Sequence, residues 1–128
     1  MVKTTDPSVF DTIETPTDSL GFDPKSILQR GFCLKEGEDV ALFEDKGSGV
    51  YFGHYFLQSR GKKAIEVSMS FLSEAFETAN VIAGLTPIEN KAALWMTRRL
   101  GFSMMDVVDT TVGKMQLSML TKKDFMNE

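Results

Sequence analysis

Cysteine is nearly absent: Cys33 is the only one in 128 residues. No disulfide can close within the chain, which fits a reducing compartment. Histidine and tryptophan also occur once each, as His54 and Trp95, so imidazole chemistry would rest on His54, and no metal-binding set is expected. Three of the four prolines, Pro7, Pro16 and Pro24, fall early and break up any long element there. No apolar run is long enough to span a bilayer as a helix. The opening stretch MVKTTDPSVFDTIETP has no signal-peptide core. The expected setting is cytoplasmic, with no membrane partner. Positive charge is not in excess either. A formal charge of −4 and a pI near 5.0 give no general electrostatic case for nucleic acid.

What is present is a globular balance, 42% hydrophobic and 25% charged. Ten Phe and eight Met point to a well-filled, adaptable core. The length predicts a single domain over residues 1–128. No repeat or low-complexity tract appears. Residues 1–35 carry the weakest pattern. There "SVFDTI" reads as a strand offering Val9, Phe10 and Ile13 for burial, and Asp23-Pro24 reads as N-cap and first residue of a short helix reaching about Arg30.

From residue 39 the pattern sharpens. "DVALFED" and "VYFGHYFLQ", joined by the turn "KGSG", predict a hairpin. The period then changes. Ile65, Met69, Leu72 and Phe76 recur at helical spacing, flanked by Ala64, Ser68 and Ala75. "NVIAGL" suits a buried strand. Thr86, Pro87 and Glu89 read as a capping box with proline at the first helical position. Ala92, Trp95, Met96 and Leu100 are expected to face the core. Arg98 and Arg99 suit the negative end of the helix dipole, and Gly101-Phe102 forms its stop. "SMMDVVD" and "KMQLSMLT" read as closing strands around "TTVG", and "TKKDFMNE" as a frayed tail. The order β-β-α-β-α-β-β predicts an α/β (α+β) fold, a mixed central sheet flanked by helices.

Two segments, "YFLQSRGKKAIEVSMSFLSEAF" and "GLTPIENKAALWMTRRLGF", in this order and with two strands behind them, resemble the GNAT superfamily of acyl-CoA N-acyltransferases. The resemblance covers roughly residues 50–120. It implies that acetyl-CoA or coenzyme A binds as co-substrate. The backbone of Phe56 and Leu57 would pair with the pantetheine arm. Gln58, Ser59, Arg60, Gly61, Lys62, Lys63 and Ala64 would cradle the pyrophosphate at a helix N-terminus, and Asn90 would hold the arm. The family's loop pattern is Q/R-x-x-G-x-G/A. Lys63 stands at its last position, with Ala64 as the substitute if the loop shifts by one. Thr97 occupies the position where the family often carries a tyrosine general acid. His54 is the first candidate for the base, ahead of Glu66 and Glu44.

The implied activity is transfer of an acetyl group to an amine on a small molecule or a protein. The sequence also resembles short GNAT-like proteins of tailed phages. That makes a non-catalytic virion or assembly protein, with phage structural proteins as partners and in the host cytoplasm or the virion, the alternative; a homo-oligomer fits either. Binding of CoA without transfer is a third reading. Each sharp reading has a bland counterpart. Arg60–Lys63 also reads as a solvated helix start, His54 as a structural histidine, Asn90 as a helix-start residue, Trp95 and the methionines as packing, and Cys33 as an apolar filler.

Overall fold

A computed structural model describes residues 1–12 and 23–127. Strand β1 (Val2–Thr4) is followed by a 3₁₀ turn over Pro7–Thr12 and then by helix α1 (Pro24–Leu28). Strands β2 (Gly31–Glu36), β3 (Asp39–Asp45) and β4 (Val50–Phe56) form an antiparallel meander with β1. Next come helix α2 (Gly61–Ala75), strand β5 (Val81–Pro87), helix α3 (Lys91–Arg99), the hairpin of β6 (Ser103–Thr110) and β7 (Gly113–Thr121), and helix α4 (Lys122–Met126). Among the described residues the strands make one sheet in the order β1-β2-β3-β4-β5-β7-β6. Only the β4–β5 junction is parallel. The expected mixed sheet flanked by helices is thus the observed one.

The core has two layers. On one face Phe32, Leu34, Ala41 and Phe43 meet Val67, Phe71, Leu72 and Phe76 of α2. On the other, Cys33, Val40, Leu42 and Phe56 meet Ile27 and Leu28 of α1 and Val9 and Phe10 of the 3₁₀ turn. Strand β3 is therefore covered on both faces, and all its residues but Asp45 are buried. Its two buried acids are both paired. Glu44 accepts from Arg30 Nη2 at 2.7 Å and lies 3.2 Å from Lys46 Nζ; Asp39 is treated below.

Several local expectations give way to tertiary pairing. "SVFDTI" is not a strand: Pro7 fixes φ, Asp6 Oδ1 accepts from the Ser8 amide at 2.9 Å, and the chain coils, still burying Val9 and Phe10. Ile13 lies outside the described residues. Asp23 caps α1 as expected, with Pro24 first, although the helix ends at Leu28. Strands β1 and β2 carry no clear signal in the sequence pattern. On α2 two of the four expected stripe residues, Leu72 and Phe76, are fully buried, and the small residues expected to flank the stripe are buried as well. Ala64, Ser68 and Ala75 are buried with Val67 and Phe71, while Ile65 and Met69 are half-buried shoulders. The small side chains let the helix axis approach the sheet, and Val67, Phe71, Leu72 and Phe76 pack around them.

The Thr86–Glu89 capping box does not form. Pairing with β7 carries β5 through Thr86↔Gln116 and Pro87↔Met115, so both residues belong to the sheet. Helix α3 starts later, with Asn90 as its N-cap. Of its expected core residues Leu100 is buried and Met96 half-buried, Leu94 is buried instead of Ala92, and Trp95 is 56% exposed. The predicted stop is observed. The Phe102 amide donates to Thr97 O, the Gly101 amide donates to Arg98 O, and Gly101 takes φ +99°. The C-terminal stretch forms α4, capped by Thr121 and anchored by Phe125 against Phe76 at 5.1 Å between centroids.

Candidate functional site

Strands β4 and β5 are joined by three residue pairs, Val50↔Val81 to Phe52↔Ala83. Beyond them β4 stays with β3 as far as Phe56, and β5 stays with β7 as far as Pro87. The two strands diverge because each is held by its other neighbour. Gly53 and Gly84 follow the last pair, and a Cβ on Gly84 would lie 3.7 Å from Gly53 O. The divergence opens a cleft of about 890 Å³, walled by the ends of both strands, the start of α2 and one side of α3. The strand edges facing it carry backbone donors and acceptors with no strand partner, the arrangement that accepts an extended amide-containing ligand.

The loop between β4 and α2 is held from both sides. The amides of Gln58 and Ser59 donate to Asp39 Oδ1 at 2.6 and 2.9 Å, and Ser59 Oγ donates to Asp39 Oδ2 at 2.5 Å. Burial opposes the charge on Asp39, but the Ser59 hydroxyl, the Ser59 and Gln58 amides and the nearby Lys63 outweigh it, so the carboxyl stays below its ordinary value. From the other side Arg60 Nη1 donates to the carbonyls of Leu57, Gln58 and Ser59 at 2.9–3.2 Å.

Helix α2 then begins on Gly61 at φ +59°, a backbone state that costs an L-residue about 1–2 kcal/mol. The helix has no acidic residue in its first turn, where Lys62 and Lys63 stand instead, and no side-chain cap. Cations at the positive end of a helix dipole are unfavourable unless an anion joins them. The first-turn amides and two exposed lysines together are an arrangement that favours an anion.

Across the cleft, Asn90 Oδ1 accepts from the Ala93 amide at 3.1 Å, which leaves the Nδ2 donors for other partners. Thr97 lines the cleft but donates its hydroxyl to Ala93 O at 2.8 Å. The exposed indole of Trp95 and Leu85 also line the wall. Burial drives the His54 imidazole down to about 4, with Glu44 opposing and Lys46 assisting, so the ring is neutral at physiological pH. The Tyr55 hydroxyl is buried with no hydrogen-bond partner among the described residues, and burial pushes its pKa up. Cys33 is fully buried beneath α1, its thiol pushed up to about 12, and is chemically inert.

Of the candidate site residues named from the sequence, His54, Phe56, Leu57, Ser59, Arg60, Gly61, Ala64, Asn90 and Thr97 line this one cleft. Gln58, Lys62 and Lys63 lie beside it on the loop and the exposed first turn of α2. Glu44 is bound to Arg30 and Lys46, and Glu66 lies on the exposed side of α2, so neither carboxylate reaches the cleft. Sequence reasoning missed Asp39, which only the folded meander brings to the loop. It also missed the wall role of Trp95, whose signal was an aromatic in a helix already supplied with core residues.

No protein-family model matches the sequence, and no curated protein matches it. Solved structures do share the fold. One is the aminoglycoside acetyltransferase AAC(6')-Ib in complex with coenzyme A, 16% identical, with a TM-score of 0.62 over 80% of this chain and 73% of that one. Another is Mycobacterium smegmatis RimJ in complex with CoA-disulfide, 13% identical, with a TM-score of 0.61 over 73% and 53%. A chimera of the spermidine N-acetyltransferase SpeG from Vibrio cholerae is 10% identical, with a TM-score of 0.63 over 75% and 68%. The fold of this chain is that of the GNAT acyl-CoA N-acyltransferases.

Proposed function

We propose that the chain binds acetyl-CoA in the cleft and transfers its acetyl group to an amine. The observation that carries this reading is the divergence of β4 and β5 toward the basic start of α2. The open edge at Phe56 and Leu57 pairs with the amide-bearing arm. The amides of Gly61, Lys62 and Lys63 take the pyrophosphate, with Ala64 leaving room beside it. Gln58 and Arg60 shape the loop, and the Asn90 amide donates to the arm.

The amine nitrogen attacks the thioester carbonyl, whose oxygen is polarised by a strand amide near Phe56. The C–S bond breaks and the thiolate leaves. His54 is the base candidate for the amine proton, and solvent protonates the thiolate, because Thr97 keeps its hydroxyl on Ala93. Solved neighbours act on aminoglycosides and spermidine by their names, which supports an amine acceptor on a small molecule or protein.

The test is calorimetric titration with acetyl-CoA, followed by thiol-release assays across an amine panel. Saturable binding that Gly61→Glu abolishes is expected; no binding at millimolar ligand overturns the reading. A second reading is a GNAT-fold protein that has lost catalysis, of the short tailed-phage kind, working in the host cytoplasm or the virion, alone or self-associated. The absence of a phenol at Thr97 favours it. Binding of CoA without turnover of any amine, together with co-purification with particle proteins, is its expected outcome.

A further inference from the structure

We infer that Asp39 is a positioning residue for the anion cradle: its carboxylate gathers Gln58 and Ser59 and thereby sets the start of α2 for a phosphate-bearing ligand. The inference rests on the acyl-CoA reading above and adds a residue outside every motif that supports it. Asp39 is 3% exposed and opens β3, one residue before the Val40↔Phe56 pair that ends the β3–β4 ladder. Where the ladder stops, the carboxylate replaces it and takes two consecutive backbone amides and one hydroxyl from the departing chain. The three carbonyls of the same loop go to Arg60.

Two consequences follow. The Gln58 and Ser59 amides are spent on Asp39, so the cradle consists of the amides from Gly61 onward. Two of the loop's amides, the Ser59 hydroxyl and three of its carbonyls are also bonded before any ligand arrives, so less ordering remains when an anion binds. A buried negative charge close to an anion site otherwise repels the ligand. Its value must lie in geometry, and its neutralisation separates the two effects. Loss of repulsion would tighten phosphate binding, whereas loss of the positioned loop would weaken it.

The experiment compares wild type, Asp39→Asn and Ser59→Ala by calorimetry with CoA and with pantetheine, which lacks the phosphates, and records melting temperatures. Asp39→Asn keeps the shape but cannot accept the same three hydrogen bonds. Its expected effect is a CoA Kd raised about tenfold, against a change of less than about twofold for pantetheine. Ser59→Ala removes one bond of the three, is the milder variant should Asp39→Asn fold poorly, and should raise the CoA Kd about threefold. Tighter or unchanged CoA binding in a folded variant overturns the inference, as does an equal loss for both ligands, which marks a general structural role. Absence of CoA binding by the wild-type chain overturns the acyl-CoA reading, and this inference with it.

Discussion

Lowering the pH from neutral to about 5 should destabilise this protein through His54. Its imidazole would accept a proton near 6.5 when exposed, but burial at the cleft lowers that to about 4 in the folded chain. Between those values the unfolded chain carries one more proton than the folded chain, so stability rises with pH. The sign is that of a group kept neutral by folding. Stability is full above about pH 6.5, falls by about 1.4 kcal/mol per unit below it, and levels off near pH 4 after a loss of about 3 kcal/mol. Near pH 5 the loss is about 2 kcal/mol. Asp6 and Asp39, whose carboxyls are held below their ordinary value, add their own loss of stability only toward the acid edge of this window. The assay is urea denaturation at several pH values with wild type and His54→Gln. The wild-type curve should slope and the variant's should be nearly flat. A flat wild-type curve with an unchanged m-value refutes the buried neutral imidazole. On the proposed reading, with His54 as base, turnover should show no inflection near 6.5, because the ring is already neutral there.

Gly61→Ala should cost about 1–2 kcal/mol by melting, because the Cβ meets no atom but the positive φ remains. Asn90→Ala should lower stability by about 1 kcal/mol through loss of the cap on Ala93, and should weaken CoA binding in the same titration. Tyr55→Phe should raise stability by about 1 kcal/mol, since it deletes a buried hydroxyl with no partner among the described residues; a destabilised variant would mean that the hydroxyl is bonded in solution. Trp95, the only tryptophan and 56% exposed, should shift its emission to shorter wavelength when CoA fills the cleft, and the shift should follow the calorimetric saturation curve.

The parts of the fold that were legible in the sequence are those fixed by local chemistry. The Gly101-Phe102 stop closes on hydrogen bonds within the last turn of α3, and the Asp23-Pro24 start on a bond two residues away. Where two local signals competed, the sheet decided. Thr86-Pro87-Ile88-Glu89 is a sound helix start in isolation, but β7 pairs with it, and the helix falls back on its next available cap, Asn90. The same holds at the N-terminus, where Asp6 and Pro7 impose a turn on residues whose β-branched and aromatic character reads as a strand. β2 has no alternation to read, because Phe32, Cys33 and Leu34 are buried on alternate faces of a sheet covered on both sides.

The candidate site divides along the same line. The proposed anion cradle is a property of one short segment, a glycine and two lysines at a helix start, and such a segment announces itself. The cleft is a relation between two strands. "VYFGHYF" and "VIAGLTP" each read as continuous strands, and their parting after Phe52 and Ala83 is set by β3 and β7, which hold them on the far sides. Asp39 belongs to this second kind, since it reaches Gln58 across 19 positions of sequence and only after β3 and β4 have paired. Proton transfer is more demanding again. Whether His54 acts as a base depends on how deeply the ring is buried, and the residue type alone carries no information on that. A sequence with one histidine thus names its candidate at once. The pH dependence of stability and turnover then decides whether the fold has left that candidate able to do the chemistry.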